Sequence, residues 1–255
     1  MASGPAAPPF VRLAAHPLRW RLMTELAGSD YRVRELTNLV GQPQNLVSYH
    51  LRLLRSGGLV TTRRSSFDAR DSYYHLDLDR CADALNGTGA ALHPTLHLSA
   101  PPRMPAQRPG GLRVLFACTG NSARSPLAEA LLRHRSGGTI EVTSAGSHPK
   151  PHIHPHAVRV MREEFGIDIA DQHPRHLDAL GDRRFDYVIT LCDKVREVCP
   201  DFDDHPRLVH WSIPDPATAD DPAHQDGYPA FSRVAAEIDT RISHLLPVLA
   251  KEVPS

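Results

Sequence analysis

One run constrains this chain more than any other: Val114-Leu115-Phe116-Ala117-Cys118-Thr119-Gly120-Asn121-Ser122-Ala123-Arg124-Ser125-Pro126. An apolar stretch of strand character ends in a cysteine, five small or polar residues follow, and an arginine leads into a helical pattern from Ser125 to about Arg135. Such a strand, loop and helix form a cradle for a tetrahedral oxyanion. The backbone N–H groups of Thr119, Gly120, Asn121, Ser122 and Ala123 turn inward, and the helix start adds the positive end of its dipole. Arg124 closes the cradle with a planar fork that holds two anion oxygens at once. The same field acts on sulfur: a free thiol titrates near roughly 8.5, and a helix N-terminus with a neighbouring cation takes it to roughly 3.5–7.5. The expectation is a nucleophilic Cys118 thiolate at neutral pH, with the Ser125 hydroxyl hydrogen-bonded to the sulfur.

A Cys-x5-Arg-Ser run after a strand resembles the loop of the low-molecular-weight tyrosine phosphatases and of their relatives, the thioredoxin-coupled arsenate reductases. Phosphate and arsenate share shape and charge, so the loop leaves both activities open. The remaining cysteines separate them. Tyr187-Val188-Ile189-Thr190-Leu191-Cys192 reads as a buried strand ending in a second thiol, and Asp193 to Val198 lead to Cys199 and Pro200. This Thr-Leu-Cys-x6-Cys-Pro pattern resembles the redox segment of the reductases. A phosphatase needs one nucleophilic sulfur, because water removes the phosphoryl group. The reductase resemblance implies a relay: Cys118 attacks arsenic, Cys192 attacks Cys118 and releases arsenite, and Cys199 attacks Cys192 to leave a disulfide. It implies no bound cofactor, and thioredoxin or a small thiol as the external reductant.

In both families a general acid stands on a loop after the next strand, and Asp215-Pro216, following Leu208-Val209-His210-Trp211-Ser212-Ile213-Pro214, matches that position better than Asp221. The resemblance extends from about Leu112 to the C-terminus and includes Ser144-Ala145-Gly146 after the second strand. Ala123 stands where many members carry a further cysteine. Arg175 falls about where potassium-binding reductases place a carboxylate, so that ion site is not carried over. His148, His152, His154 and His156 alternate among prolines and read as loop residues; no metal site is expected.

A chain of 255 residues is one or two domains. No stretch reaches about 18 consecutive apolar residues, and the N-terminus lacks a basic segment followed by an apolar one, which predicts a cytoplasmic protein without a membrane partner. Four cysteines there mean chemistry or metal more often than structural disulfides. The zero net charge hides an asymmetry: residues 1–108 hold thirteen arginines and no lysine against eight carboxylates, and the remainder carries the compensating negative balance. A basic half joined to an acidic half points to nucleic acid as partner of the first alone. Between them, 86–111 is rich in glycine and proline and reads as a linker.

Ahead of the linker lie three helical patterns, Leu13 to Leu26, Val33 to Val40 and Gln44 to Ser56, the last ending at Gly57-Gly58. Leu59 to Thr62 and Tyr73 to Leu76 then alternate as strands around an arginine-bearing wing. This order, with Gln44-Asn45-Leu46-Val47-Ser48-Tyr49-His50-Leu51, resembles the winged helix-turn-helix of the ArsR-type repressors over about Arg12 to Leu85. The spacing turns Val47, Leu51 and Leu54 to the core and leaves Gln44, Asn45, Ser48, Tyr49 and Arg52 for the major groove. Arg63, Arg64 and Arg70 on the wing suit phosphates or a minor groove. The resemblance implies a homodimer on a double-stranded DNA operator, built through the first helix and the one after the wing, Asp79 to Leu85. Arsenite-sensing members carry closely spaced cysteines; this half has Cys81 alone, which reads as core or interface. Trp20 and Trp211 sit in apolar patterns and read as core.

The expected architecture is an α+β winged helix-turn-helix domain over 1–85, the linker 86–111, and over 112–255 an α/β domain with a four-stranded open parallel sheet of the low-molecular-weight phosphatase kind. The expected function is arsenate reduction fused to a DNA-binding regulator of arsenic resistance. A tyrosine phosphatase, or a repressor whose reductase-like half is only a sensor, are the alternatives.

Overall fold

Pro17 breaks the first helical pattern. Proline lacks an N–H and disfavours helical backbone in the residue before it, so His16 is extended (φ -79°, ψ 125°) and α1 (Pro9–Ala14) and α2 (Pro17–Gly28) stand where the periodicity predicts one helix. The structure is a computed structural model that describes residues 7–93, 96, 111–198, 206–219 and 227–251. The chain divides into two compact units, Met1–Arg103 and Met104–Ser255.

In the first unit α2 turns Leu18, Leu22, Met23 and Leu26 inward. Trp20 lies on the other face and is 57% exposed, which corrects its reading as core. Helix α3 (Val33–Val40) is closed by Gly41 in the left-handed region (φ 61°), and α4 (Gln44–Ser56) follows over the residues that the spacing predicts. Val47, Leu51 and Leu54 are fully buried. A Cβ on Gly57 would meet Leu13 Cδ1 at 2.3 Å, so a glycine there lets the end of α4 approach α1. Strands β2 (Val60–Arg64) and β3 (Ser72–Leu76) form the wing in antiparallel register, Val60 opposite Leu76 and Arg64 opposite Ser72. A further strand, β1 (Tyr31–Arg32), pairs with the other edge of β3; two residues are too few for their alternation to show in a sequence.

Helix α5 (Leu78–Leu92) starts on the Asp77 side chain, which accepts from Arg80 N, and runs beyond the expected Leu85 into the stretch read as linker. Asn86-Gly87-Thr88-Gly89 argued for a break, since each glycine costs a helix about 1 kcal/mol. Thr88 Oγ1 donates back to Ala84 O at 2.8 Å within the helix, and beyond the glycines Ala90, Ala91 and Leu92 restore helix-forming residues. The rest of the expected linker, apart from His93, Leu96 and Gly111, lies outside the described residues.

The second unit holds a four-stranded parallel sheet of β4 (Arg113–Cys118), β5 (Glu141–Gly146), β6 (Tyr187–Thr190) and β7 (Arg207–His210), in the order β5-β4-β6-β7. Val114 to Cys118 are buried without alternation, the mark of a parallel strand covered on both faces. From β4 the chain moves outward to β5 through α6 (Arg124–Arg135); from β6 it moves the opposite way to β7 through α8 (Asp193–Val198). Right-handed crossovers therefore put α6 and α8 on opposite faces of the sheet. The order reverses between β4 and β6, and the carboxyl ends of those two strands flank the crevice where ligands bind in such sheets. Helix α9 (Tyr228–Lys251) packs on α6 and on α7 (Pro155–Phe165), with Phe231, Ile238 and Ile242 fully buried. Trp211 is buried, as its pattern suggested. No helix of the described residues is long and apolar enough to cross a membrane.

Candidate functional site

Cys118 is the last residue of β4, and the chain turns at once into the loop that precedes α6. The loop is held from outside by its carbonyls. Those of Cys118, Thr119, Gly120 and Ser122 accept from the backbone N–H groups of Ser147, His148, Lys150 and His154. Turning the carbonyls outward directs the N–H groups to the interior of the turn, and that of Asn121 donates to Cys118 Sγ at 3.3 Å. Gly146 closes the same contact: a Cβ there would lie 2.6 Å from Thr119 O and 2.9 Å from Asn121 N, so the end of β5 must be glycine for the loop to sit against it.

Asn121 is the strained residue of the turn, with φ 42°. Asparagine tolerates this region better than most residues, and its amide is bonded at every side. Nδ2 donates to Ser125 Oγ and to Ser144 Oγ, each at 2.9 Å, and Oδ1 accepts from Arg175 N at 2.7 Å. Ser144 Oγ donates in turn to Glu129 Oε2 at 2.6 Å, and Glu129 is ion-paired with Arg133. The sequence alone marks Asn121 as an anion-binding residue and gives no sign of this bracing beyond one: the serine of Ser144-Ala145-Gly146 at the end of β5.

The electrostatics differ from expectation. Ser125 Oγ lies 3.0 Å from Cys118 Sγ, as the sequence suggested. Burial nevertheless pushes the Cys118 thiol up, with Cys192 adding to the rise, while Arg124 and Ser125 pull it down without reversing it. A neutral-pH thiolate created by the loop alone is therefore corrected. The sequence argument weighed the helix dipole and the cation but not the cost of an ion at the foot of a covered sheet. Arg124 also divides its charge: Nη1 donates to Ile213 O at 3.1 Å and Nη2 to Asp215 Oδ2 at 2.8 Å.

The structure thus gathers Cys118, the Thr119 to Ala123 turn, Arg124, Ser125 and Asp215 at one strand end. It adds Cys192, whose Sγ lies 3.3 Å from Thr119 Oγ1. Cys199 and Asp221 lie outside the described residues. Among those described, no cluster of three or more histidines, cysteines and carboxylates is placed to hold a metal ion. Of the histidines read as loop residues, His154 caps α7 and stacks on Phe231, ring centroids 4.4 Å apart, and His156 lies in the first turn of that helix.

In the first unit Gln44, Asn45, Tyr49 and Arg52 are exposed on α4, with Ser48 half-buried beside them; Arg64 and Arg70 are exposed on the wing and Arg63 is half-buried. The Arg52 guanidinium lies over the Tyr49 ring, and Arg70 pairs with Asp68. Asp71 accepts from both Arg32 and Arg34, tying the base of the wing to the start of α3. Cys81 is buried, and burial with Asp77 nearby pushes its thiol up to about 11, the state of an inert core thiol.

Comparison with known proteins accords with both halves. Residues 113–255 match the family model of the low molecular weight phosphotyrosine protein phosphatases, and residues 16–62 that of the bacterial regulatory proteins of the arsR family. The chain belongs to the low molecular weight phosphotyrosine protein phosphatase family and carries an ArsR-type helix-turn-helix ahead of that domain. Its curated relatives include arsenate reductases. That of Brevibacillus brevis is 40% identical over 129 residues, 51% of this chain and 90% of its own length. That of Shouchella clausii is 39% identical over 131 residues, 51% of this chain and 91% of its own. Among solved structures, a thioredoxin-dependent arsenate reductase of Corynebacterium glutamicum is 33% identical, covering 54% of this chain and 60% of that one with a TM-score of 0.42.

The balance around Cys118 is open to test through the one hydroxyl that favours its charged form. Ser125→Ala removes that hydrogen bond and leaves the burial, so the pH profile of Cys118 alkylation by iodoacetamide is expected to move further upward. An unchanged profile would show that Ser125 does not stabilise the thiolate.

Proposed function

We propose that the second unit reduces arsenate to arsenite through a relay of Cys118, Cys192 and Cys199, and that the first unit binds operator DNA as a dimer. The observation that carries the first part is the pair of thiols at the ends of neighbouring strands, with the Thr119 hydroxyl from the anion loop against Cys192 Sγ. A phosphatase of this fold has no use for the second thiol there.

The groups gathered at the ends of β4 and β6 support the steps up to arsenite release, and the Cys199 step follows the reductase resemblance. Arsenate seats on the loop N–H groups and Arg124, and a proton on the Cys118 sulfur passes to the bound dianion. The thiolate attacks arsenic; an S–As bond forms, an As–O bond breaks, and Asp215 protonates the departing oxygen so that it leaves as water. Cys192, as thiolate, then attacks the Cys118 sulfur. A disulfide forms, the S–As bond breaks, and its electron pair stays on arsenic, which leaves as arsenite after protonation by solvent. Two thiols have lost two electrons and arsenic has gained them. Cys199 next attacks Cys192 and frees Cys118, and a thioredoxin dithiol or a small thiol reduces the Cys192–Cys199 disulfide.

Trapped species separate the sulfurs. Cys199→Ser is expected to release arsenite once and end with Cys118 joined to Cys192, and Cys192→Ser to stall at the first adduct, both read by mass spectrometry of the intact chain. Wild-type steady-state arsenate turnover in the double variant, with thioredoxin as sole reductant, would defeat the relay. Undiminished phosphate-ester hydrolysis in that variant would favour a phosphatase.

The DNA-binding part rests on the exposed polar row of α4, the arginines of the wing and the arginine-rich first half. The dimer part rests on α1 and α5, which pack together and leave Val11, Leu85 and Leu92 exposed. Changing Arg63 and Arg64 together to alanine is expected to weaken binding to all sequences alike and to flatten the salt dependence by about 0.9 for each phosphate that is no longer neutralised. Gln44→Ala is expected to relax base preference at one position by about 1–3 kcal/mol. Filter binding across salt concentrations and operator variants reads both, and equal losses on every sequence for Gln44→Ala would remove it from base readout.

A further inference from the structure

The parallel register of β6 and β7 sets Thr190 beside His210, the last residues of the two strands. The His210 ring bonds at both nitrogens: Nδ1 lies 2.8 Å from Thr190 Oγ1, and Nε2 lies 3.1 Å from Asp193 Oδ1. Asp193 opens α8. The side chains of Asp193 and His210 are each 3% exposed, and Thr190 is also buried. A carboxylate and an imidazole buried so deeply lose their hydration, so they are stable there only while hydrogen-bonded, and each supplies a bond to the other.

The order along the chain gives the arrangement its meaning. Thr190, Leu191, Cys192 and Asp193 are consecutive, and one imidazole grips the side chains at both ends of this tetrapeptide. Inside the grip, Leu191 N–H donates to Ala117 O at 2.8 Å, and Cys192 O accepts from Arg196 N at 3.2 Å. Ala117 is the residue before Cys118. The backbone of the second thiol is thus tied to the strand that carries the first and closed over by a ring from the next strand.

We infer that His210 and Asp193 are positioning residues that hold Cys192 in line with the Cys118 sulfur, so that it can form the S–S bond and expel arsenite. This rests on the relay proposed above. The bonds that define their role run from His210 to Thr190 on one side and to Asp193 on the other. Their part is confined to the second step, in which Cys192 as thiolate attacks, the S–S bond forms, the S–As bond breaks and the electron pair leaves with arsenic. Binding of the oxyanion uses the loop, Arg124 and Ser125 and does not require the clamp.

The test compares two readouts in the full chain. Arsenite release in a single turnover reports the second step, and protection of Cys118 from iodoacetamide by inorganic arsenate reports uptake of the oxyanion by the loop, bound or as the Cys118 adduct. His210→Gln and Asp193→Ala are expected to slow release by about 10–100-fold, the range for a misaligned reacting atom, while arsenate protection stays as in the unaltered chain. Asp193→Asn keeps an oxygen to accept from the imidazole and is expected to recover most of the rate. Release at the unaltered rate in His210→Gln and Asp193→Ala overturns the inference. Loss of arsenate protection together with release, with no recovery in Asp193→Asn, overturns it as well, because the pair would then merely hold the unit together. Failure of the relay itself shows elsewhere, as arsenite release by Cys192→Ser at the unaltered rate with the clamp intact.

Discussion

The Asn121 amide is the contact on which the site depends. It occupies a backbone region that a side chain rarely adopts, and it offsets that strain by joining three separate segments: Ser125 at the start of α6, Ser144 on β5 and the backbone of Arg175. Ser125 in turn lies against the Cys118 sulfur. A change at any of these positions is therefore felt at the nucleophile, through hydrogen bonds that no solvent can replace in a buried network.

Topology supplies the second thiol. Because the strand order reverses between β4 and β6, their carboxyl ends open side by side, and the residues that follow them, Thr119 and Cys192, meet. The same covering that brings the thiols together makes an ion expensive at Cys118. The Arg124 charge and the Ser125 hydroxyl offset part of that cost. Preorganised donors act most strongly where water is excluded, so burial raises both the cost of the thiolate and the strength of the cradle that receives the anion.

Legibility in the sequence followed how local each signal was. The anion loop, α4 and the parallel sheet could be read because a strand ending in Cys-x5-Arg, a helical spacing of Val47, Leu51 and Leu54, and unbroken apolar runs are properties of short segments. The bracing of Asn121 and the His210–Asp193 pair could not, since they join residues that only the fold makes neighbours. Trp20 failed for a related reason: a helix with apolar residues all along it still has an outer face. Pro17 is a local signal that the helical periodicity around it masks, and it divides α1 from α2. The charge on Cys118 is not legible because desolvation is a property of the packed unit and has no sequence motif.

The two halves of the chain share a vocabulary of oxyanions, one an anion loop with thiols and the other an arginine-bearing wing suited to phosphates. What distinguishes the proposed activity from simple ester hydrolysis is where the electrons come from. The direct measurement is the loss of titratable thiols in the unaltered chain, mixed with limiting arsenate in the absence of any reductant and denatured in acid before counting. The account predicts that each arsenite released removes two thiols from the chain. Arsenite released with no loss of thiols, or arsenate bound and returned unchanged while all thiols remain, would contradict it.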